Sequence, residues 1–149
     1  MTMIRLPSDF KEFLQLLNDH RVDYLLVGGY AVGYHGYPRA TVDLDIWVAV
    51  TPRNARHLVM VFKEFGFDAK ELKEDLFLKE NKIVRIGEPP LRIKVMTSVS
   101  GVDFDACYEQ RIVDTIDGIQ VNFINLENLK VNKMSAGRHK DLNDLENLP

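Results

Sequence analysis

The sequence that decides the fold reads YLLVGG at residues 24–29 and resumes, after a gap, as RATVDLDI at residues 39–46. An apolar run that ends at glycine is typical of a buried strand. Because Gly28 and Gly29 lack a Cβ, the backbone can turn sharply there and a ligand can approach it closely. Residues 30–34 predict a short helix behind this turn, whose free N–H groups suit a bound phosphate.

Two aspartates follow on the next predicted strand. Side chains alternate along a strand, so Asp43 and Asp45 (the aspartate pair) share one face. Leu44 and Ile46 take the other face. Neighbouring carboxylates repel each other, and a divalent cation that prefers oxygen ligands, such as Mg²⁺, relieves the repulsion. A glycine turn beside a carboxylate pair is what a metal-bound nucleoside triphosphate requires; the alternative is a plain turn beside two solvated residues.

The order and spacing of these residues resemble the signature of the nucleotidyltransferase superfamily, which has the DNA polymerase β-like fold. The residues that carry the resemblance are VGG at 27–29 and DLDI at 43–46. The fuller string, GGYA at 28–31 and HGYPRATVDLD at 35–45, resembles a small bacterial branch that includes nucleotidyltransferase toxins of abortive-infection systems. The run KMSAGRHKDLNDL at 133–145 also resembles that branch.

The resemblance implies an α/β (α+β) nucleotidyltransferase fold with a mixed central β-sheet and flanking helices. It also implies transfer of a nucleotidyl group from a nucleoside triphosphate to an acceptor, with release of pyrophosphate. In two-metal phosphoryl chemistry, carboxylates hold the ions, so Asp43 and Asp45 are the expected catalytic and metal-binding residues, with Mg²⁺ or Mn²⁺ as cofactor. The residues expected to bind the nucleotide are Gly28, Gly29, Arg39, Thr41, Lys133 and Arg138.

Several of these assignments have alternatives. Arg39 and Thr41 fall on the face of the aspartate pair if the strand begins that early, and Arg39 then either pairs with one aspartate or reaches a phosphate. Lys133, Arg138 and Asp141 either line the site, as the resemblance implies, or form a solvated charged face.

One residue departs from the family pattern. The resemblance implies a third carboxylate on a later strand, and in the matching string LRIKVMT at 91–97 the residue at that point is Lys94. Asp103 and Asp105 are candidates to replace the missing charge, but both lie beyond the strand. If this strand lies beside that of the aspartate pair, we expect Lys94 to form an ion pair with one of the two aspartates.

Three functional interpretations follow from these residues. The first is a Mg²⁺-dependent nucleotidyltransferase, toxin-like, whose acceptor is RNA (tRNA included), protein or a small molecule. The second is a nucleotide-binding pseudoenzyme that acts through a partner protein, which Lys94 favours. The third is a purely structural or interaction domain, which the retained glycines and aspartates disfavour. Because the chain is short for this superfamily, an antitoxin or other partner, or a homo-oligomer, is also expected.

The composition is that of an ordinary globular chain. It has 149 residues, of which 46% are hydrophobic and 28% charged, so we expect one nucleotidyltransferase-like domain over 1–149 with C-terminal helices from about residue 125. A net charge of −3 argues against a broad nucleic-acid surface. No apolar run suits a bilayer, no signal-peptide pattern is visible, and the single cysteine, Cys107, fits a reducing cytoplasm.

Periodicity predicts the remaining elements. A first helix should begin near residue 8 and bury the stripe Phe10, Phe13, Leu14 and Leu17. A second should begin at 51–52 and end at Gly66. Strands are expected at 83–86 and 91–96, followed by a hairpin that turns at residues 117–118, where the sequence is Asp-Gly. His35 either contacts the substrate or packs in its loop.

Overall fold

The computed structural model describes residues 4–68 and 70–149, and a mixed β-sheet lies at its centre. The strands are β1 (Tyr24–Val27), β2 (Asp43–Val48), β3 (Ile83–Ile86), β4 (Arg92–Met96), β5 (Ile112–Ile116) and β6 (Ile119–Phe123). Across the sheet their order is β3-β4-β2-β1-β6-β5. β1 runs parallel to β6 and β2 runs parallel to β4, whereas the other neighbours are antiparallel. The expected α/β class with a mixed sheet is confirmed.

Helices flank this sheet. They are α1 (Ser8–Asp19), α2 (Gly28–Tyr34), α3 (Pro52–Phe65), α4 (Phe104–Glu109), α5 (Leu126–Ala136) and α6 (His139–Asn147), with a single 3₁₀ turn at Glu74–Phe77. The predicted stripe of α1 is fully buried. None of the described helices combines the length and the apolar character needed to cross a bilayer.

The local signals that delimit α3 act as the sequence predicts. Thr51 precedes the helix and its hydroxyl accepts a hydrogen bond from the N–H of Asn54, while Pro52 occupies the first helical position. Gly66 ends the helix with a left-handed backbone, φ 101°. These caps fix both ends of α3, and its apolar stripe packs against α1 and the core.

The register of β1, β2 and β4 positions Asp45 between the end of β1 and Lys94. Asp45 lies opposite Val27, the last residue of β1, so the turn at Gly28 begins beside it. On the other side, β2 and β4 run parallel with Asp45 opposite Lys94. Since β2 begins only at Asp43, residues 39–42 precede the strand, and alternation does not determine where their side chains point.

Candidate active site

A cleft of about 480 Å³ opens where β1 ends and β2 begins, and residues of α5 and α6 also line it. The residues that the sequence assigned to metal or nucleotide binding, together with Lys94, all line this cleft, whereas Asp141 does not. These residues are Gly28, Gly29, Arg39, Thr41, Asp43, Asp45, Lys94, Lys133 and Arg138. The fold therefore brings together residues spread over most of the chain, while their roles in binding and catalysis stay predictions.

The two glycines let side chains of the site approach the backbone. Gly28 has φ 67°, and a Cβ there would lie 2.8 Å from Cγ of Asp45. A Cβ on Gly29 would lie 2.6 Å from the hydroxyl oxygen of Thr41. The sequence suggested that these glycines leave room for a ligand, but the space beside each one is filled by a side chain of the site itself.

Asp43 is held by two cations of β4. Nε of Arg92 donates to its Oδ1 at 2.8 Å and a terminal nitrogen donates to Oδ2 at 3.2 Å. Nζ of Lys94 lies 3.3 Å from Oδ2, so the ion pair predicted for Lys94 is present. The Arg92 hydrogen bond, with the charge of Lys94 nearby, keeps the pKa of Asp43 below its ordinary value. We call these three residues the sheet ion cluster.

Asp45 differs from its neighbour because one of its oxygens has no partner. Oδ1 is buried, and no described residue donates a hydrogen bond to it. Burial raises the pKa of this carboxyl group, although the charge of Lys94 acts in the opposite direction. A buried, unpaired carboxylate oxygen is costly. It is therefore the point of the cleft where a bound cation or hydrogen-bond donor gains most.

Arg39 does not pair with the aspartate pair. Its Nε and one terminal nitrogen bind the two carboxylate oxygens of Asp144, on α6, at 2.7 and 2.9 Å. The physical reason is that residues 39–42 precede β2 and are not part of the sheet. Strand alternation therefore does not orient Arg39, and its side chain reaches Asp144 on α6. Arg39 still lines the cleft.

Lys133 lies at the centre of a second group of charges. Its Nζ is 3.1 Å from Asp141 and 3.1 Å from Asp144, and all three side chains are buried. Nε of Arg138 also donates to Asp141, at 2.7 Å. Burial by itself would raise the pKa of each carboxyl group, but the hydrogen bonds from the cations outweigh it and lower both pKa values. Together with Arg39, these residues form the buried ion cluster.

Sequence reasoning missed several residues of the cleft. Lys140 lines it, and burial together with the charges of Arg138 and Lys94 lowers the pKa of Lys140. The basic run near the chain end was the available signal for Lys140. Arg92 binds Asp43 without lining the cleft, and its signal is strand alternation, because it precedes Lys94 by two residues on β4. Nothing in the local sequence indicates Asn81, Ser98, Ser100 or Asn132, because loops bring the first three to the cleft and the packing of α5 brings the fourth.

The two aspartates proposed to replace the third carboxylate, and His35, lie outside the cleft. Asp103 and Asp105 line a different pocket, and the carboxylate of Asp103 accepts a hydrogen bond from the N–H of Ala106 at the start of α4. Neither aspartate therefore replaces the missing carboxylate. Nε2 of His35 lies 2.7 Å from the carbonyl oxygen of Ile124, which makes His35 a loop-packing residue.

The cleft carries few acidic side chains and many basic ones. Within residues 4–68 and 70–149, no group of three or more His, Cys, Asp or Glu side chains is arranged to hold a metal. Asp43 and Asp45 are the acids that line the cleft, and Lys94 brings a positive charge beside Asp43. The cationic side chains of the cleft outnumber the aspartate pair, and they are Arg39, Lys94, Lys133, Arg138 and Lys140.

Comparison with known families agrees with this geometry. The profile of the family described as "nucleotidyltransferase of unknown function" (DUF6036) matches residues 2–148. The chain belongs to this family. The family assignment supports nucleotidyl transfer as the general class of activity.

Solved structures show the same fold at low sequence identity. A Thermotoga maritima protein, provisionally assigned as a nucleotidyltransferase, is 15% identical and superposes with a TM-score of 0.63 over 93% of this chain and 89% of its own. An antigenic nucleotidyltransferase-like protein from Paracoccidioides brasiliensis is 18% identical, with a TM-score of 0.57 over 93% and 72%. No curated protein matches the sequence significantly. At these identities the likeness establishes the fold alone.

Proposed function

We propose that this protein binds a nucleoside triphosphate in the cleft and transfers its nucleotidyl group to an acceptor, with a single Mg²⁺ or Mn²⁺ ion. The observation that carries the proposal is the meeting of the aspartate pair with five cationic side chains in one cleft. A triphosphate needs both parts, because its phosphates require positive charge and its metal requires oxygen ligands.

The cations have different freedom to act on the phosphates. Arg39 and Lys133 are tied to the carboxylates of Asp144 and Asp141, so their positions are fixed before a ligand arrives. Lys140 has no such tie within the described residues, and Lys94 shares its partner Asp43 with Arg92. We therefore assign Lys94 and Lys140 to direct contact with phosphate oxygens, where they stabilise charge that develops on the leaving group.

The metal would be held by the carboxylate of Asp45, with Asp43 as the second ligand. When bound, such an ion polarises the phosphoryl oxygens and so favours attack at phosphorus. Lys94 keeps a second ion away, since its ammonium group brings positive charge to the place of a carboxylate, a change of two charge units. A unit charge at about 4 Å is worth on the order of 4 kcal/mol at an effective dielectric of about 20.

A second candidate function is a nucleotide-binding pseudoenzyme that works through a partner. The pairing of Asp43 with both Arg92 and Lys94 favours it, because a ligand carboxylate that is already neutralised binds metal less well. The first candidate, the transferase, includes a toxin-like role with an antitoxin partner, or a homo-oligomer. Its acceptor would be RNA (tRNA included), protein or a small molecule.

Calorimetry with a nucleoside triphosphate analogue that cannot be cleaved tests the binding half of the proposal. We expect the wild-type protein to bind the analogue more tightly with Mn²⁺ than with chelator. Asp45→Asn should remove most of that metal-dependent gain, and Asp43→Asn should remove less because Arg92 already neutralises Asp43. Asp75→Asn, in the 3₁₀ turn and outside the cleft, is the matched control. Equal binding by wild type and Asp45→Asn would refute the site.

An assay for pyrophosphate release from labelled triphosphate distinguishes the transferase from the pseudoenzyme. Release of pyrophosphate, abolished by Asp45→Asn, is expected for a transferase. Tight nucleotide binding without pyrophosphate release, for every acceptor class offered, is the result that favours the pseudoenzyme.

A further inference from the structure

A second pocket lies beside the cleft on the same face of the sheet. Its volume is about 320 Å³, and it shares Asn81, Ser98 and Val99 with the cleft. Trp47, which lines it, follows Asp45 by two residues on β2, so both side chains point to one face. Two residues of strand advance roughly 7 Å. The pocket is therefore at the right distance to hold a molecule whose end reaches the reacting phosphate.

The charge of the second pocket is opposite to that of the cleft. Its charged lining residues are Glu80, Asp103 and Asp105, and no Lys, Arg or His of the described chain lines it. Asp103 accepts a hydrogen bond at the start of α4, and one oxygen of Glu80 accepts from the hydroxyl of Ser98. The second oxygen of Glu80 and the carboxylate of Asp105 are therefore the more available acceptors. Such a lining attracts a protonated amine and repels the phosphates of a nucleic acid.

A buried donor gives independent evidence for a ligand. Trp47 is 2% exposed, and its indole Nε1 has no hydrogen-bond partner among the described residues. Buried indole N–H groups almost always find a partner. The ring of Phe104 packs edge-on against Trp47 with 5.1 Å between centroids, and both rings line the pocket. An oxygen atom of a bound molecule would supply the acceptor that Trp47 lacks.

We infer that the second pocket is the acceptor subsite and that it takes a small hydroxylated amine. This inference rests on the proposed function and deepens it by naming a class of acceptor. The ammonium group would face Glu80 and Asp105, and a hydroxyl oxygen would accept from Nε1 of Trp47. A volume of about 320 Å³ suits a small molecule, since binding sites for such ligands begin at about 300 Å³.

The transfer step for this acceptor is balanced without a further reactant. A second hydroxyl oxygen of the amine bonds to the α-phosphorus, and the bond from that phosphorus to the leaving oxygen breaks. Pyrophosphate departs with the bonding electron pair, and the hydroxyl proton passes to water. The product is a nucleotidylated amine.

Trp47 makes the inference directly measurable, because it is the only tryptophan of the chain. Three probes share a three-carbon skeleton and differ in charge: 1,3-diamino-2-propanol, glycerol and tartronate. At low salt we expect the diamine to change Trp47 emission saturably, with an affinity at least about tenfold above that for glycerol. Tartronate should produce no saturable change. Equal affinities for the diamine and glycerol would overturn the inference.

Substitutions of the lining residues test whether the diamine binds in the second pocket. The double variant Glu80→Gln and Asp105→Asn should weaken diamine binding about tenfold, because two attractive charges are lost. Its matched control is Asp9→Asn with Glu12→Gln, two exposed acids of α1 that do not line the pocket. Trp47→Phe, followed by calorimetry, should weaken binding by removing the N–H donor. If the pocket double variant binds the diamine as the control does, the acidic pocket is not the binding site.

Nucleotide binding is measured separately, by equilibrium dialysis with labelled ATP, so the two proposals can fail independently. ATP binding without diamine binding overturns the acceptor inference and leaves the proposed function standing. Diamine binding without ATP binding supports a cation site but removes its role as an acceptor subsite. Competition by RNA for the diamine-dependent emission change would contradict the acceptor class.

Discussion

The sheet ion cluster and the buried ion cluster contain the same types of residue and differ in how far solvent reaches their charges. In the buried ion cluster, Asp141 and Asp144 are 1% exposed at their side chains and Lys133 is 5% exposed. In the sheet ion cluster, the side chain of Asp43 is 16% exposed and that of Lys94 is 20% exposed. Solvent therefore screens the pairs on the sheet more than those beneath α6.

The pairing of carboxylate oxygens gives a second contrast, between the buried ion cluster and Asp45. Each carboxylate oxygen of Asp141 and Asp144 receives at least one hydrogen bond or ion pair from a cation. On the sheet, by contrast, Asp45 beside the cluster has a buried oxygen without a partner. Fully paired charges hold the fold together, whereas the unpaired one is left for a ligand. The comparison therefore assigns stability to the buried ion cluster and ligand binding to Asp45, which lies beside the sheet ion cluster.

The largest effect is expected from Lys133→Met. The methionine preserves the side-chain length but removes the cation that both Asp141 and Asp144 share. Breaking a buried ion pair by removing one partner costs about 3 kcal/mol or more. We expect the free energy of unfolding, measured by urea denaturation, to fall by about 3 kcal/mol. The control is Lys63→Met, on the exposed face of α3, which should change it by less than about 0.5 kcal/mol. Similar losses for the two variants would contradict the structural role of the buried ion cluster.

Gly28→Ala should act on both stability and ligand binding. Its φ of 67° costs an alanine about 1–2 kcal/mol, and the new Cβ would displace the carboxylate of Asp45. Gly118→Ala is the matched control, since it has φ 83° with open space around it. We expect comparable loss of stability in both variants, but loss of Mn²⁺ and nucleotide affinity only in Gly28→Ala. Unchanged affinity there would mean that Gly28 serves the turn alone.

Acid should destabilise the protein through the buried ion cluster. The folded-state pKa values of Asp141 and Asp144 lie below the ordinary 3.8, so their contribution is fully present above pH 3.8 and is lost as the pH falls through the lowered values. Urea midpoints measured from pH 6 to pH 3 should therefore decline steeply below about pH 3.8. In Asp144→Asn this decline should be shallower. An identical slope in the variant would show that other carboxyl groups control acid unfolding.

Most of the fold follows from local signals in the sequence. Apolar periodicity located α1 and α3, and the Asp-Gly turn located the β5–β6 hairpin, because these features depend on neighbours within one element. The alternation of Asp43 and Asp45, with the glycines before them, also indicated that these residues come together, and all of them line one cleft. The ion pair of Lys94 with Asp43 followed from one further assumption, that the two strands are neighbours.

The features that the sequence did not predict depend on contacts between distant segments. Arg39 reaches Asp144, 105 positions away, because α6 folds back over the cleft, and no local pattern specifies that packing. The second pocket combines Trp47 with residues of two later segments. The unpaired Nε1 of Trp47 and the unpaired Oδ1 of Asp45 are properties of packing, so only the structure reveals them.

Mn²⁺ titration of the wild-type protein and of Lys94→Asp tests the central claim most directly, namely that Lys94 restricts the cleft to one metal ion. The variant replaces a positive charge with a negative one beside Asp43 and restores the third carboxylate. We predict one weakly bound Mn²⁺ per wild-type chain, and in Lys94→Asp an affinity at least about tenfold higher with a second ion bound. Lys63→Asp, on α3, makes the same charge change outside the cleft and should leave binding as in wild type. Two tightly bound ions in the wild-type protein, or an unchanged affinity in Lys94→Asp, would contradict the claim.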